Sequence, residues 1–444
     1  MKKALLFLVL IANFIGFSQT ITDTISSEKL DEKRTIQISL PKKYDKNNKK
    51  GYPILVVLDG DYLFEPFVGA IKYANYWQDL PEMIVVGVHQ NVKDERYEDC
   101  KTDSETGLPT GKGSKFFEFI GGELMNYMQT KYSCNQLKII AGHDVTAGFA
   151  NLYLYKSPPI FSAYISLNPE MPNDMEANLY ERLSAIKQSI FFFHSLSEGD
   201  TSEMKLVNKK LDENLKSIKN ESLNYKFLEQ KGSHYSSVLS AIPDALYSLF
   251  EGYQPITTTE YEEKIVKLPS GYVDYLIKKY DKLDKSLGYK ISVKYSDFKA
   301  IEAAILKNKA YNELEQLAVE ANKNYPKAML GEYLMAQYYE RKEDQKRAVK
   351  SYLSAYQMEP IGDLTKEMMV DRAEDLKMKL KKEAKKGAAT PAPEVPPTTE
   401  TTSPDVPSTT GTEPVTITPE VPVIETPVQE AKPTKKTKKS TKKK

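Results

Sequence analysis

The 444-residue chain is too long for one ordinary hydrophobic core, so two or three domains are expected. Its 62 basic and 61 acidic residues nearly cancel to a formal charge of +1, which gives no overall reason to expect a nucleic-acid partner. Only two cysteines are present, Cys100 and Cys134. The sequence leaves open whether they form a disulfide or remain separate thiols.

In residues 1–18, two lysines follow Met1, an apolar run comes next, and small residues precede Gln19. This pattern predicts a secretory signal peptide. A retained membrane anchor is the alternative, but an apolar run of roughly 14 residues is shorter than the about 20 that a spanning helix needs. We therefore expect the protein to be exported, to the periplasm or the cell exterior.

Short apolar runs alternate with helix-length segments through the predicted first domain, residues 19–253. This alternation predicts an α/β domain with a mostly parallel sheet flanked by helices. The predicted strands are Thr35–Leu40, Ile54–Leu58, Met83–Val88, Leu137–Ala141, Ala163–Leu167, Ile190–Phe193 and Leu223–Leu228. The predicted helices between them are Phe64–Tyr76, Lys115–Lys131 and Val145–Lys156.

A second, all-helical domain is predicted over residues 260–385, where Lys, Glu, Leu, Tyr and Ala recur with a helical period. From Met329 to Pro360, small and aromatic residues have the spacing of a tetratricopeptide-like repeat, a unit that offers a protein-binding surface. An unrelated helical hairpin is the alternative, because a single repeat cannot bury its own faces.

Residues 386–444 form a Pro/Thr-rich linker followed by a Lys-rich tail, and neither part has the apolar periodicity of a folded core. This composition predicts disorder. The Lys-rich tail can contact a polyanion or can simply be solvated, and the sequence does not separate these two interpretations.

The segment that carries candidate chemistry follows the strand Leu137–Ala141. It reads Gly142-His143-Asp144-Val145-Thr146 and is followed at once by a helical stretch. This strand–turn–helix context is that of a nucleophile elbow, G-x-Nu-x-G, in which the next backbone N–H helps to bind an oxyanion. Asp144 occupies the nucleophile position. Thr146 occupies the position of the motif's last glycine and is bulkier than glycine.

The first domain resembles the putative-esterase family that includes esterase D and the enterochelin esterases. The matching segments, besides the elbow, are Tyr52–Asp61, Ile84–Arg96 with its N-x-x-R segment, Phe116–Leu124, Phe161–Pro169 and Gly232–His234. The resemblance implies an α/β-hydrolase fold and carboxylic-ester hydrolysis. A trailing helical-repeat domain is also a feature of such relatives.

The family's elbow, G-H-S-x-G-G, places its serine at Asp144. His234 matches the family's catalytic base and Glu198 its acid, with Asp200 as a nearby substitute. If the Asp144 and Glu198 carboxylates both lie beside His234, the pKa of His234 should be raised above the usual value of about 6.5. The resemblance places Val145 and Asp61 on the oxyanion side.

A carboxylate at the elbow has no hydroxyl to acylate, and its charge competes with the oxyanion for the same amide donors. We therefore expect a non-catalytic, exported pseudoesterase that binds a small ligand or a partner. One alternative is a hydrolase that uses Asp144, His234 and Glu198. Another is a pure scaffold based on the helical domain.

Haloalkane dehalogenases and epoxide hydrolases also have aspartate at the elbow, and their G-H-D-x-G resembles Gly142-His143-Asp144. Here Val145 replaces their usual tryptophan, and residues 167–190 are too few for their cap domain. We expect no cofactor and no metal site, because no short-range ligand spacing such as H-x-x-x-H is present. His89 and His194 lie at strand ends and are interpreted as structural.

Overall fold

A computed structural model describes residues 20–91 and 95–387 of the chain. The predicted signal peptide and almost all of the predicted disordered segment lie outside these residues. Within them an eight-stranded sheet forms the centre of the first domain, in the order β1-β2-β4-β3-β5-β6-β7-β8. The strands are β1 (Thr20–Ser27), β2 (Glu32–Ser39), β3 (Tyr52–Val57), β4 (Ile84–Val88), β5 (Cys134–His143), β6 (Ala163–Leu167), β7 (Ile190–Ser197) and β8 (Leu223–Gln230).

The first two strands are antiparallel to their neighbours, and β3 to β8 are parallel. The predicted mostly parallel sheet is therefore confirmed. Sequence analysis did not predict β1, which is an edge strand with only two buried residues, Ile25 and Ser27. Its polar residues do not produce the apolar run by which the buried strands were recognised.

Every residue of β3, β4, β6 and β7 is buried, because helices cover both faces of the sheet. The helices of this domain are α1 (Gly60–Tyr76), α2 (Glu95–Asp99), α3 (Lys112–Glu118), α4 (Met125–Lys131), α5 (Val145–Asn151), α6 (Met175–Ala185), α7 (Ser202–Lys216) and α8 (Ser236–Leu249). A π-helical segment, Phe119–Leu124, joins α3 to α4.

The helical region follows the α/β body without a break in the hydrophobic core. Its helices are α9 (Thr258–Glu260), α10 (Tyr272–Leu287), α11 (Tyr295–Lys307), α12 (Glu313–Asn324), α13 (Leu330–Arg341), α14 (Gln345–Tyr356) and α15 (Lys366–Gly387). Buried Phe67 and Leu246 of the α/β body belong to the same apolar cluster as Tyr272 and Leu276 of α10. The α13–α14 pair lies where sequence analysis predicted the repeat-like segment. No described helix has the length and apolar character to cross a membrane.

A buried ion pair fixes α2, the short helix that reaches the candidate site. Arg34 of β2 donates to both carboxylate oxygens of Asp99, at 2.5 and 3.0 Å. Their side chains are 2% and 0% exposed. Glu32 also pairs with Arg34, and the Lys112 ammonium lies 3.3 Å from Asp99. Because Asp99 is the last residue of α2, this contact sets the position of the whole helix.

The first prediction concerns this pair. We expect Asp99→Ala to lower the free energy of unfolding by about 3 kcal/mol, because it leaves the buried Arg34 guanidinium without its main partner. Glu98→Ala on the same helix is the matched control, since the ion pair of Glu98 within the described residues is with exposed Lys101. Urea denaturation measures both. Equal stability of the two variants would show that the buried pair does not hold α2.

Candidate active site

The nucleophile elbow is present, and Asp144 is its central residue. Asp144 has φ 59° and ψ −125°, a backbone conformation that costs an ordinary residue of order 1–3 kcal/mol and recurs at functional sites. Gly142 is required beside it, because a Cβ there would lie 2.7 Å from the Thr146 carbonyl. The carbonyl of Asp144 accepts from the amides of Ala147, Gly148 and Glu170, which fixes the turn.

Thr146, at the position where the family motif has glycine, adds a polar connection across the elbow. Its hydroxyl donates to Asp59 at 2.7 Å and accepts from the His143 amide at 3.0 Å. Asp59 follows β3 and precedes α1 in left-handed backbone, with φ 53°. The threonine therefore links the elbow to the loop after β3, a contact that no glycine could make.

His234 lies between two carboxylates, as the sequence predicts, but Glu198 is not one of them. The imidazole Nδ1 is 2.6 Å from Asp200 Oδ1, and Nε2 is 3.7 Å from Asp144 Oδ1. The predicted acid position is thus wrong, and Asp200, the nearby substitute, pairs with the histidine. This is the geometry of a catalytic triad with aspartate in place of serine.

The turn after β7 explains why Asp200, and not Glu198, pairs with His234. Asp200 is folded inward, where its second carboxylate oxygen accepts the Ser197 amide at 2.8 Å and its side chain is fully buried. Glu198 is exposed, and its backbone carbonyl accepts from the Lys205 ammonium. Both acids fall within three residues of the strand end, so their spacing alone could not decide between them.

Arg96 is the component whose role sequence analysis missed. Its guanidinium donates from Nε to Asp59 at 2.7 Å and from Nη1 to Asp144 at 3.2 Å. It also donates to the His143 carbonyl at 2.9 Å, and its side chain is only 11% exposed. The sequence indicated Arg96 only as part of the N-x-x-R segment. Arg96 and Asp144 are 48 residues apart in the chain, so their contact could not be read from local spacing.

Burial and charge divide the titratable groups of the cleft. Burial raises the pKa of the Asp59 carboxyl against the opposing effect of Arg96. Burial and the charge of His234 lower the pKa of His143 to about 4, so His143 is neutral at pH 7. Hydrogen bonding to Asp200 raises the pKa of His234; burial opposes this shift, and the charge of Asp144 adds to it.

Val145 and Asp61, the two residues expected on the oxyanion side, lie at the starts of α5 and α1. The Val145 amide is the first of α5, where a helix leaves its N–H groups without intrahelical partners. The Asp61 carboxylate is used within its own loop, because it accepts from the Gln90 amide at 2.8 Å and pairs with His89 at 3.0 Å. The Asp61 carboxylate is therefore already engaged by its own loop.

The remaining predictions concern histidines, metals and cysteines. His194 is fully buried, with Nε2 2.6 Å from Asn208, and burial lowers its pKa to about 4. Residues 20–91 and 95–387 contain no group of three or more His, Cys, Asp or Glu side chains arranged to hold a metal ion. Cys100 and Cys134 are free thiols, which resolves the question of a disulfide that the sequence left open.

Comparison with known proteins agrees with the α/β-hydrolase fold. The family model described as "Putative esterase" matches residues 27–188. A solved structure of an uncharacterised protein from Capnocytophaga ochracea is 30% identical, covers 81% of this chain and 100% of its own, and has a TM-score of 0.72. The chain belongs to the putative esterase family. An IroE-like serine hydrolase from Shewanella oneidensis is 18% identical over 80% of this chain and 99% of its own, with a TM-score of 0.50.

The esterase-family assignment and the α/β-hydrolase fold are thus shown, and both agree with the sequence prediction. The match to the Capnocytophaga protein extends past the α/β body into the helical region, since it covers 81% of the chain. The likeness to the Shewanella hydrolase shows the common fold. No functionally curated protein was found to match the chain.

The second prediction concerns the protonation of His234. We expect its pKa, measured by NMR titration, to lie above about 6.5. Asp200→Asn should lower it more than Asp144→Asn, because the hydrogen bond to Asp200 is the larger cause of the shift. Because the pKa of His234 is higher in the folded protein than in the unfolded chain, its charge stabilises the fold. This stabilisation is full below the unfolded-state pKa and is lost as pH rises through the folded-state pKa.

The matched control for this titration is Asp61→Asn, which leaves both partners of His234 in place. A His234 pKa at or below the ordinary value would contradict the ion pair. So would a value unchanged in both the Asp144 and the Asp200 variant.

Proposed function

We propose that this esterase-family protein is an exported, non-catalytic binding protein, a pseudoesterase whose cleft holds a ligand or partner without cleaving it. The observation that carries the proposal is the pairing of Asp144 with Arg96 at 3.2 Å and its approach to His234 at 3.7 Å. In this arrangement the side chain at the nucleophile position is a partner in an ion-pair network.

The chemistry of acyl transfer supports this proposal. An esterase serine gives its proton to histidine and attacks the acyl carbon, which yields an ester that water can cleave. The Asp144 carboxylate has no proton to give and would form an anhydride. Its charge also lies beside the Val145 amide, where a developing oxyanion would need the same donor.

The state of His234 supports it further. A protonated imidazole cannot accept a proton, so the raised pKa of His234 reduces the fraction able to act as a general base at pH 7. Asp144 adds to this shift, because its negative charge favours the imidazolium form. Aspartate at the elbow therefore lacks the serine hydroxyl and also lowers the fraction of His234 that is neutral and able to accept a proton at pH 7.

A second candidate function is hydrolysis through Asp144, His234 and Asp200. The 2.6 Å hydrogen bond between His234 and Asp200 favours it, because that contact orients the base in a working triad. In this scheme the Asp144 carboxylate would attack saturated carbon, and His234 would then activate water against the resulting ester. The contact between Arg96 and Asp144 favours the binding role, since it withdraws electron density from one carboxylate oxygen.

The other parts of the chain contribute to the same proposal. The helical region would offer a surface for a protein partner, supported by the packed antiparallel pair α13 and α14. The sequence of residues 434–444, which is mostly lysine, would attract a polyanion weakly and in a salt-dependent way. Export is supported by the sequence of residues 1–18.

The third prediction tests the non-catalytic role. Wild-type protein should not hydrolyse p-nitrophenyl acetate or butyrate above background and should not be labelled by a fluorophosphonate. Asp144→Ser restores a hydroxyl beside His234, so we expect this variant to gain measurable hydrolysis and labelling. Asp144→Ser/His234→Ala is its matched control and should lose both.

Wild-type hydrolysis that disappears in Asp144→Asn would contradict the binding role and favour the aspartate nucleophile. Stoichiometric labelling of a serine in the wild-type protein would reveal a different nucleophile. Circular dichroism of each variant shows that the fold is intact.

A further inference from the structure

Three exposed tyrosines adjoin residues of the Asp144 cleft, and we refer to them as the tyrosine rim. Tyr62, Tyr97 and Tyr235 are 41%, 62% and 74% exposed. They come from α1, α2 and the residue before α8, three elements far apart in sequence. Exposed aromatic side chains that converge from separate elements on one cleft are a feature of ligand-binding surfaces.

Each ring of the rim touches a residue of the site. The Tyr62 ring lies 6.0 Å from the His143 ring, and the Tyr235 ring lies 5.0 Å from the His234 ring, both edge to face. The Arg96 guanidinium is 5.7 Å from the centre of the Tyr97 ring. Tyr62 and Tyr235 thus lie against the two histidines next to Asp144, the Tyr235 ring also 5.9 Å from the His143 ring, and Tyr97 lies against the arginine that contacts Asp144.

The cleft inside the rim carries excess negative charge. The Arg96 cation is matched by its two-pronged contact with Asp59, and His234 is matched by Asp200. Asp144 is then an additional carboxylate, 16% exposed, held between these two pairs.

Two further acids, Glu170 and Glu203, are exposed beside this cleft. Within the described residues neither forms an ion pair. Burial and the charges of Asp144 and Glu203 raise the pKa of Glu170, opposed by Arg96 and His234. Glu170 therefore lies where neighbouring carboxylates make an added positive charge favourable.

From the tyrosine rim and the unmatched carboxylates we propose that the cleft binds a small organic cation, an alkylated ammonium group, held between the rim and Asp144. The proposal rests on the binding role proposed above and names the ligand class. Ring faces attract a cation that lies within about 6 Å of their centres, and methylated ammonium is favoured because it is weakly hydrated. The acids add attraction that a neutral ligand of the same shape does not receive.

The test uses the full mature chain and two probes of equal shape, choline and its neutral isostere 3,3-dimethyl-1-butanol. Isothermal titration or ligand-observed NMR gives each dissociation constant. We expect choline to bind at least fivefold more tightly than the isostere. Tyr97→Ala and Tyr235→Ala should each weaken choline binding about tenfold, and Glu170→Gln should weaken it several-fold.

The matched control is Tyr73→Ala. Tyr73 is an exposed tyrosine on the same helix as Tyr62, about 16 Å further along the axis at 1.5 Å per residue. This variant should leave choline binding unchanged. Equal affinity for the two probes, absence of choline binding, or equal weakening by Tyr73→Ala and the rim variants would overturn the proposal.

An acetylcholine arm separates this inference from the proposed function. Binding without turnover agrees with both. Turnover that depends on Asp144 would uphold the cation site and contradict the non-catalytic role. Failure of choline and acetylcholine to bind would remove the ligand class and leave the test by p-nitrophenyl esters unaffected.

Discussion

The contact between Arg96 and two aspartates holds the cleft together. One guanidinium joins the loop after β3, through Asp59, to the elbow after β5, through Asp144 and the His143 carbonyl. Arg96 can do so because the buried pair of Arg34 and Asp99 fixes the helix on which it lies. Removing one member of such a buried network leaves an unpaired charge, which is costly, so the whole arrangement is stable only as a unit.

This constraint holds the cleft in a defined form with a carboxylate at the centre of the elbow. His234 and Asp200 are in hydrogen-bond contact, Asp144 has the positive φ of an elbow residue, and α5 begins directly after it. The carboxylate of Asp144 is accommodated because it lies between two cationic groups. The proposed binding role follows from this setting, in which Asp144 is held between Arg96 and His234 in a cleft bordered by tyrosines.

The sequence predicted the fold because its strands are buried on both faces and are therefore continuous apolar runs. The sequence indicated Asp144 and Val145 as site residues because the elbow is a local motif. It indicated His234 only through the family resemblance. It could not choose Asp200 over Glu198, since only the turn after β7 determines which carboxylate points inward. It also could not place Arg96 on Asp144, because that contact depends on tertiary packing.

A crystal structure at about 1.2 Å resolution or better would test the central claim most directly, because it resolves the orientation of each side chain in the cleft. The account predicts that the Arg96 guanidinium donates to Asp144 and to the His143 carbonyl, with His234 between Asp144 and Asp200. An Arg96 side chain turned out of the cleft, with Asp144 free and accessible to a substrate, would contradict it and favour the aspartate nucleophile.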